Sequence, residues 1–192
     1  MRPVIKSPKE VKGLVVDPAA LRYRLFLPPI NPAVTDPEKE LRARYPMAYR
    51  YVDWGRRQRT PRGQPWPKVP SVAGRKAWWL LPATVLSNLL WVKSYDDTFR
   101  ELIADEPVFP DQRVYAVVAL KKKQQPLLGA LLNCCWTFLE TELKGRVNLG
   151  DGALDTAVYE VKSFLIPDPN VFSNHSRPLK NSENLGQVVC LR

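Results

Sequence analysis

"NLLWVKSYDDTFRELIADEPVFPDQRVYAVVAL", residues 88 to 120, is the stretch that decides the fold. Two apolar runs stand at its ends, NLLWVKS over 88–94 and RVYAVVAL over 113–120. Each is short, rich in branched and aromatic side chains, and bounded by charged or proline-bearing segments. That is the pattern of a strand buried in a sheet. Upstream, KAWWLLPA (76–83) reads as a further buried strand, and LRYRLFL (21–27) alternates charge and bulk until PPINP (28–32) ends it.

Helical patterns lie on both sides of these runs. Asp36 suits a helix N-cap, Pro37 the first helical position, and Glu38 the positive helix end. Leu41, Tyr45, Ala48, Tyr49 and Val52 recur at helical spacing, and Pro46 divides the segment into two pieces. Leu127 to Leu143 is the strongest helical pattern, with Pro126 at its start and Gly145 just past its end. Proline, glycine and arginine dominate from Thr60 to Gly74, which predicts an extended loop, and KKKQQP (121–126) reads as an exposed turn. The expected fold is α+β, with central, mostly antiparallel strands flanked by helices. Residues 1–20, broken by Pro3, Pro8 and Pro18, read as an irregular lead-in, 21–169 as the domain, and 170–192 as a polar arm.

A chain of 192 residues that is 45% hydrophobic can bury a substantial core. Its formal charge of +10 and pI near 9.7 favour an anionic partner, nucleic acid being the commonest. Cys134, Cys135 and Cys190 do not form a disulfide framework and fit a reducing cytoplasm. No basic start leads into an apolar signal core, and the longest apolar stretch, Leu127 to Leu139, is interrupted by Asn133. It falls short of the roughly 20 residues that a membrane span needs. The expectation is a cytoplasmic protein with no membrane partner.

Catalytic constellations are not evident. His175 stands alone in the polar tail, and the adjacent cysteines lack the spaced Cys/His partners that zinc needs. GRVNLGDG (145–152) lacks the GK[ST] ending of a phosphate-cradling loop, and it follows a helix rather than a strand. Asp151 and Asp155 have no companions that would make a metal shell. Basic groups carry more signal. Arg56, Arg57, Arg59 and Arg62 cluster around Trp54 and Trp66; Lys121, Lys122 and Lys123 crown a turn; Lys144 and Arg146 flank Gly145. Such groups hold phosphates, and aromatics among them can stack on bases or wedge into a duplex. The plainer alternatives are a Trp54 that belongs to a helix face and lysines that form a solvated turn.

The order of segments carries a resemblance. YPMAYRYVDWGRRQR, a proline-rich loop with PWPKV, KAWWLLPA, FPDQRVYAVVAL and LLGALLNCCWTFLETELKGRVNLGDGALDTAVYEVKSFLIPDP follow one another over roughly Tyr23 to Pro169. This order resembles the C-terminal target-recognition domain of Taq-like adenine-specific DNA methyltransferases, from restriction–modification and related phage-defence systems. The resemblance implies double-stranded DNA as partner and a target-recognition-like α+β fold. Arg146, Asn148, Gly150 and Asp151 then become candidates to touch bases or backbone, since Arg pairs with guanine edges and Asn with adenine edges. A helix-ending loop held by turn bonds from Asn148 and Asp151 is the alternative there.

The family's catalytic half, with its glycine-rich S-adenosylmethionine loop and its Asn-Pro-Pro-Tyr motif, has no counterpart. Asn31-Pro32 is followed by Ala33 and by no aromatic. The expectation is a DNA-recognition domain that neither binds cofactor nor transfers methyl groups by itself. It would work with an S-adenosylmethionine-dependent catalytic domain in cis or in trans. The alternatives are a protein-docking subunit of a defence complex and, if tryptophans lie exposed on a flat sheet face, an RNA-binding module.

Overall fold

β4 (Ser87–Val92) carries the first apolar run, and both of its faces are buried. Leu89 and Trp91 join one apolar cluster with Val117, Leu128, Leu132 and Phe164, while Leu90 and Val92 join another with Ile5, Val16, Leu102 and Val114. Successive strand side chains point to opposite faces, so a run without polar alternation is what a doubly covered strand requires. The computed structural model describes residues 1–82, 85–95, 98–147, 153–172, 185–187 and 190–191, for 171–172 and beyond as backbone only. They fall into two compact units, one of Leu25–Thr84 with Met1–Arg2, the other of Pro3–Arg24 with Val85–Arg192.

In the second unit β4 lies between β6 (Leu102–Pro110) and β7 (Val114–Val117), antiparallel to both, with Leu90 opposite Leu102 on one side and Ala116 on the other. β1 (Arg2–Ile5) and β2 (Val15–Val16) pair in parallel with β6; β3 (Tyr23–Leu25) follows β1, and β12 (Cys190–Leu191) runs antiparallel beside β7. The sheet is central and mostly antiparallel. Helices α4 (Gln125–Leu132) and α5 (Cys135–Lys144) and the short α6 (Val158–Val161) and α7 (Pro169–Phe172) complete a mixed α+β architecture. A smaller sheet joins β5 (Ser94–Tyr95), β9 (Leu154–Asp155) and β8 (Arg146–Val147) in the order β5-β9-β8, and β10 (Leu165–Pro167) pairs with β11 (Leu185–Gln187).

Several segments differ from their sequence reading. The described part of KAWWLLPA, residues 76–82, forms no strand: Leu80 N–H donates to Ala77 C=O at 3.0 Å, a turn that places Trp79 and Leu80 in the core of the first unit. The lead-in over 1–20 supplies β1 and β2, and the polar arm supplies the paired segments β11 and β12. The helix over 127–143 is two helices, because the Asn133 amide donates to Gly129 C=O and Glu101 C=O and accepts from Glu101 N–H, all near 3 Å. The backbone becomes extended at Cys134 and restarts as α5. β6 has no counterpart in the sequence reading. Its register against β4 slips between Ser87–Val108 and Leu89–Ile103, and the Asn88 amide ties the slip by donating to Ala104 C=O and Asp105 C=O. Such a bulge accommodates Asp105, Glu106 and Pro107, which a regular central strand would not.

Candidate nucleic-acid interface

The first unit builds its site from two helices and the loop that follows them. Asp36 caps α1 (Pro37–Arg44) by accepting from the N–H groups of Glu38 and Lys39 at 3.1 and 2.9 Å. Tyr45 ends α1, its N–H donating to Leu41 C=O, and Pro46 opens α2 (Pro46–Arg57), as Pro46 predicts. Leu41 and Val52 bury the inner faces, which leaves Tyr51 and Trp54, one turn apart on α2, facing outward. Their rings stack at 5.6 Å with 25° between planes. Phe26 packs against Tyr51 at 5.2 Å and against Trp79 edge-on at 6.5 Å.

Gly55 sets how closely the wall can approach. A Cβ there would stand 2.9 Å from Cη2 of Trp78, so only glycine lets that ring lie on the backbone of α2. The following loop is closed by Thr60 N–H to Gln64 C=O and Gly63 N–H to Thr60 C=O, with Gly63 left-handed at φ 76°. The loop returns Trp66 and the short α3 (Pro70–Ala73) to the cleft. The result is an open cleft of about 540 Å³, walled by Phe26, Tyr51, Trp54, Trp66, Trp78 and Trp79, with Gln58 and Arg75 as its polar lining. Tyr51, Trp54 and Trp66 retain 46, 52 and 42% of their surface in solvent.

Charge is segregated along the same segment. From Trp54 to Thr84 the chain carries Arg56, Arg57, Arg59, Arg62, Lys68, Arg75 and Lys76 and no acidic residue. Some of these cations are engaged: Arg56 pairs with Glu38 at 2.6 Å, which holds its guanidinium still more firmly protonated, and Arg57 pairs with Asp53 at 2.9 Å. Arg59 donates to Gly63 C=O and Lys76 to Val34 C=O. Arg62, Lys68 and Arg75 make no side-chain hydrogen bond or ion pair among the described residues.

The sequence candidates of the second unit fare differently. Lys121 donates to Asn170 at 3.0 Å, while Lys122 and Lys123 stand exposed on a single turn. Lys144 is bound to Glu140 at 2.5 Å and to Ser163 C=O at 2.9 Å, over the ring of Phe164. Arg146, opposite Asp155 in the β8–β9 pair, lies 2.6 Å from the Glu160 carboxylate and over Tyr159. Asn148, Gly150 and Asp151, with Gly152, lie outside the described residues, as does His175. Gly145 is explained locally: a Cβ there would meet the Thr141 carbonyl oxygen at 2.6 Å.

Tyr51, Arg75, Trp78 and Trp79 were not among the sequence candidates. The paired tryptophans of KAWWLLPA were the available signal, masked by their reading as a strand. Trp91, the tryptophan of β4, is fully buried, whereas Trp54 is exposed on α2 and Trp66 on a single 3-10 turn. Among the described residues no helix is long and apolar enough to cross a membrane. No protein-family model, curated protein or solved structure matches the chain.

Proposed function

We propose that this chain is the DNA-recognition part of an adenine-specific DNA methyltransferase of a restriction–modification or phage-defence system. Its partner would be double-stranded DNA, with a catalytic domain supplied in cis or in trans. The observation that carries the reading is the acid-free run of seven cations over Trp54–Thr84, a segment that also presents the exposed rings of Trp54 and Trp66. Phosphates are the natural counter-charge for such a surface, and arginine forks fix register on a duplex backbone. The motif order over Tyr23–Pro169 supplies the methyltransferase context.

In this reading Arg146 is a brace for the paired β8 and β9 rather than a reader of bases, since it lies against the Glu160 carboxylate and within 3.8 Å of Asp155. Lys122 and Lys123 are free to reach phosphate. The residues at Asn31 do not fit S-adenosylmethionine chemistry on a flipped base, since the Asn31 side chain accepts from Ala33 N–H at 2.9 Å in its own turn. No step through that cofactor is derived for this chain.

The test is reconstitution with a separate catalytic part of this methyltransferase class. Tritiated methyl incorporation should be nil with the chain alone and confined to one DNA sequence when both parts are present. Incorporation without sequence preference contradicts the recognition role. Protein docking is a second reading favoured by one observation: Trp136, Leu139 and Leu143 form an exposed apolar stripe along α5. Binding to a protein partner that is insensitive to salt would favour it.

A further inference from the structure

We propose that the aromatic cleft of the first unit is a stacking site for an unpaired nucleobase of a DNA strand, with a flanking phosphate taken by Arg75 in its lining. The proposal rests on the DNA-binding reading and identifies the part of the ligand that this cleft accepts. Its volume of about 540 Å³ suits one nucleotide with room for a neighbour's sugar-phosphate. Tyr51 and Trp54 form a stacked pair on a helix whose inner face is fixed by Val52 and by Trp78 against Gly55. They are therefore pre-positioned rings with exposed surface, the form of a base-stacking platform.

Chemistry selects the occupant. The lining is aromatic, so the ligand must present flat apolar surface; Arg75 is the cation in that lining and favours negative charge beside it, and the segment that builds the wall carries no acidic residue. A nucleotide in a strand supplies both. An apolar peptide would leave Arg75 uncompensated. Intact duplex satisfies the charge but hides its base faces between stacked neighbours, so only an unpaired or extruded base can enter.

Anisotropy titrations of the full chain should compare a labelled duplex with the same duplex carrying a four-nucleotide gap, at each of several salt concentrations, together with tryptophan emission. The gapped DNA should bind about tenfold more tightly and quench tryptophan emission, by base–aromatic stacking. Trp54→Ala, at an exposed position, should weaken gapped-DNA binding roughly 5- to 10-fold and so remove most of its advantage over intact duplex. Trp54→Phe should restore most of the loss. Equal affinity for gapped and intact duplex, with salt-dependent binding to both, overturns the stacking site and leaves the DNA reading standing. No salt-dependent binding to either DNA overturns both. Quenching by a free mononucleotide as strong as by the gapped strand, or by an apolar peptide and not by DNA, also overturns it.

Discussion

At Gly145 an added methyl group would stand 2.6 Å from a backbone oxygen, that of Thr141, and backbone in the last turn of α5 cannot give way as a side chain can. The residue's φ of −68° is open to any amino acid, so the requirement is space. Gly145→Ala should therefore cost about 1–3 kcal/mol in urea denaturation. A neutral effect would show that α5 ends without this close approach. Glu101 is the other residue whose environment decides its chemistry. It is buried, and desolvation raises its carboxyl well above the ordinary value of 4.5, only partly opposed by the Tyr95 hydroxyl and the Val92 N–H donating to it. With the folded-state pKa raised, its contribution to stability is full below about pH 4.5 and is lost as pH rises through the raised value. Glu101→Gln should flatten this dependence, gaining relative to the parent chain as pH rises above about 4.5. Urea midpoints at several pH values test this; parallel pH profiles for the two proteins would contradict it.

Among the elements, what the sequence made legible depended on whether local pattern or distant contact was in control. α1 and α2 were legible because Asp36, Pro37 and Pro46 act within one or two residues of themselves. β4 and β7 were legible because both faces are apolar. KAWWLLPA has the same composition, yet its tryptophans pack in a helical unit, and periodicity alone does not separate those cases. β6 was hidden by Asp105, Glu106 and Pro107, which sit where its register slips against β4. The break between α4 and α5 depends on a residue 32 positions away, since Asn133 satisfies both backbone groups of Glu101. Asn133→Ala should leave these groups without their partner and cost roughly 1–3 kcal/mol by thermal or urea melting. A loss below a few tenths would mean that the break is set elsewhere. The arginine loop was legible as a cluster, whereas the cleft draws Phe26, Tyr51, Arg75 and Trp78 from separate segments that only folding brings together.

For the whole molecule, the excess of 29 basic over 19 acidic residues is divided unevenly, with seven cations and no acid between Trp54 and Thr84. That imbalance is the basis on which we propose that the chain binds the phosphate backbone of DNA. The separate roles of the clusters are testable. Replacing Arg57, Arg59 and Arg62 by Ala should weaken binding about equally for all duplex sequences, as phosphate contacts do. A sequence-dependent loss would instead make this loop a reader of bases. The most direct measurement is the affinity for a labelled duplex across a series of salt concentrations. If about four phosphates are neutralised, the log–log slope should lie near −4, at roughly 0.9 per phosphate. A slope indistinguishable from zero would contradict the account, for it would leave the cations of this chain without a part in binding.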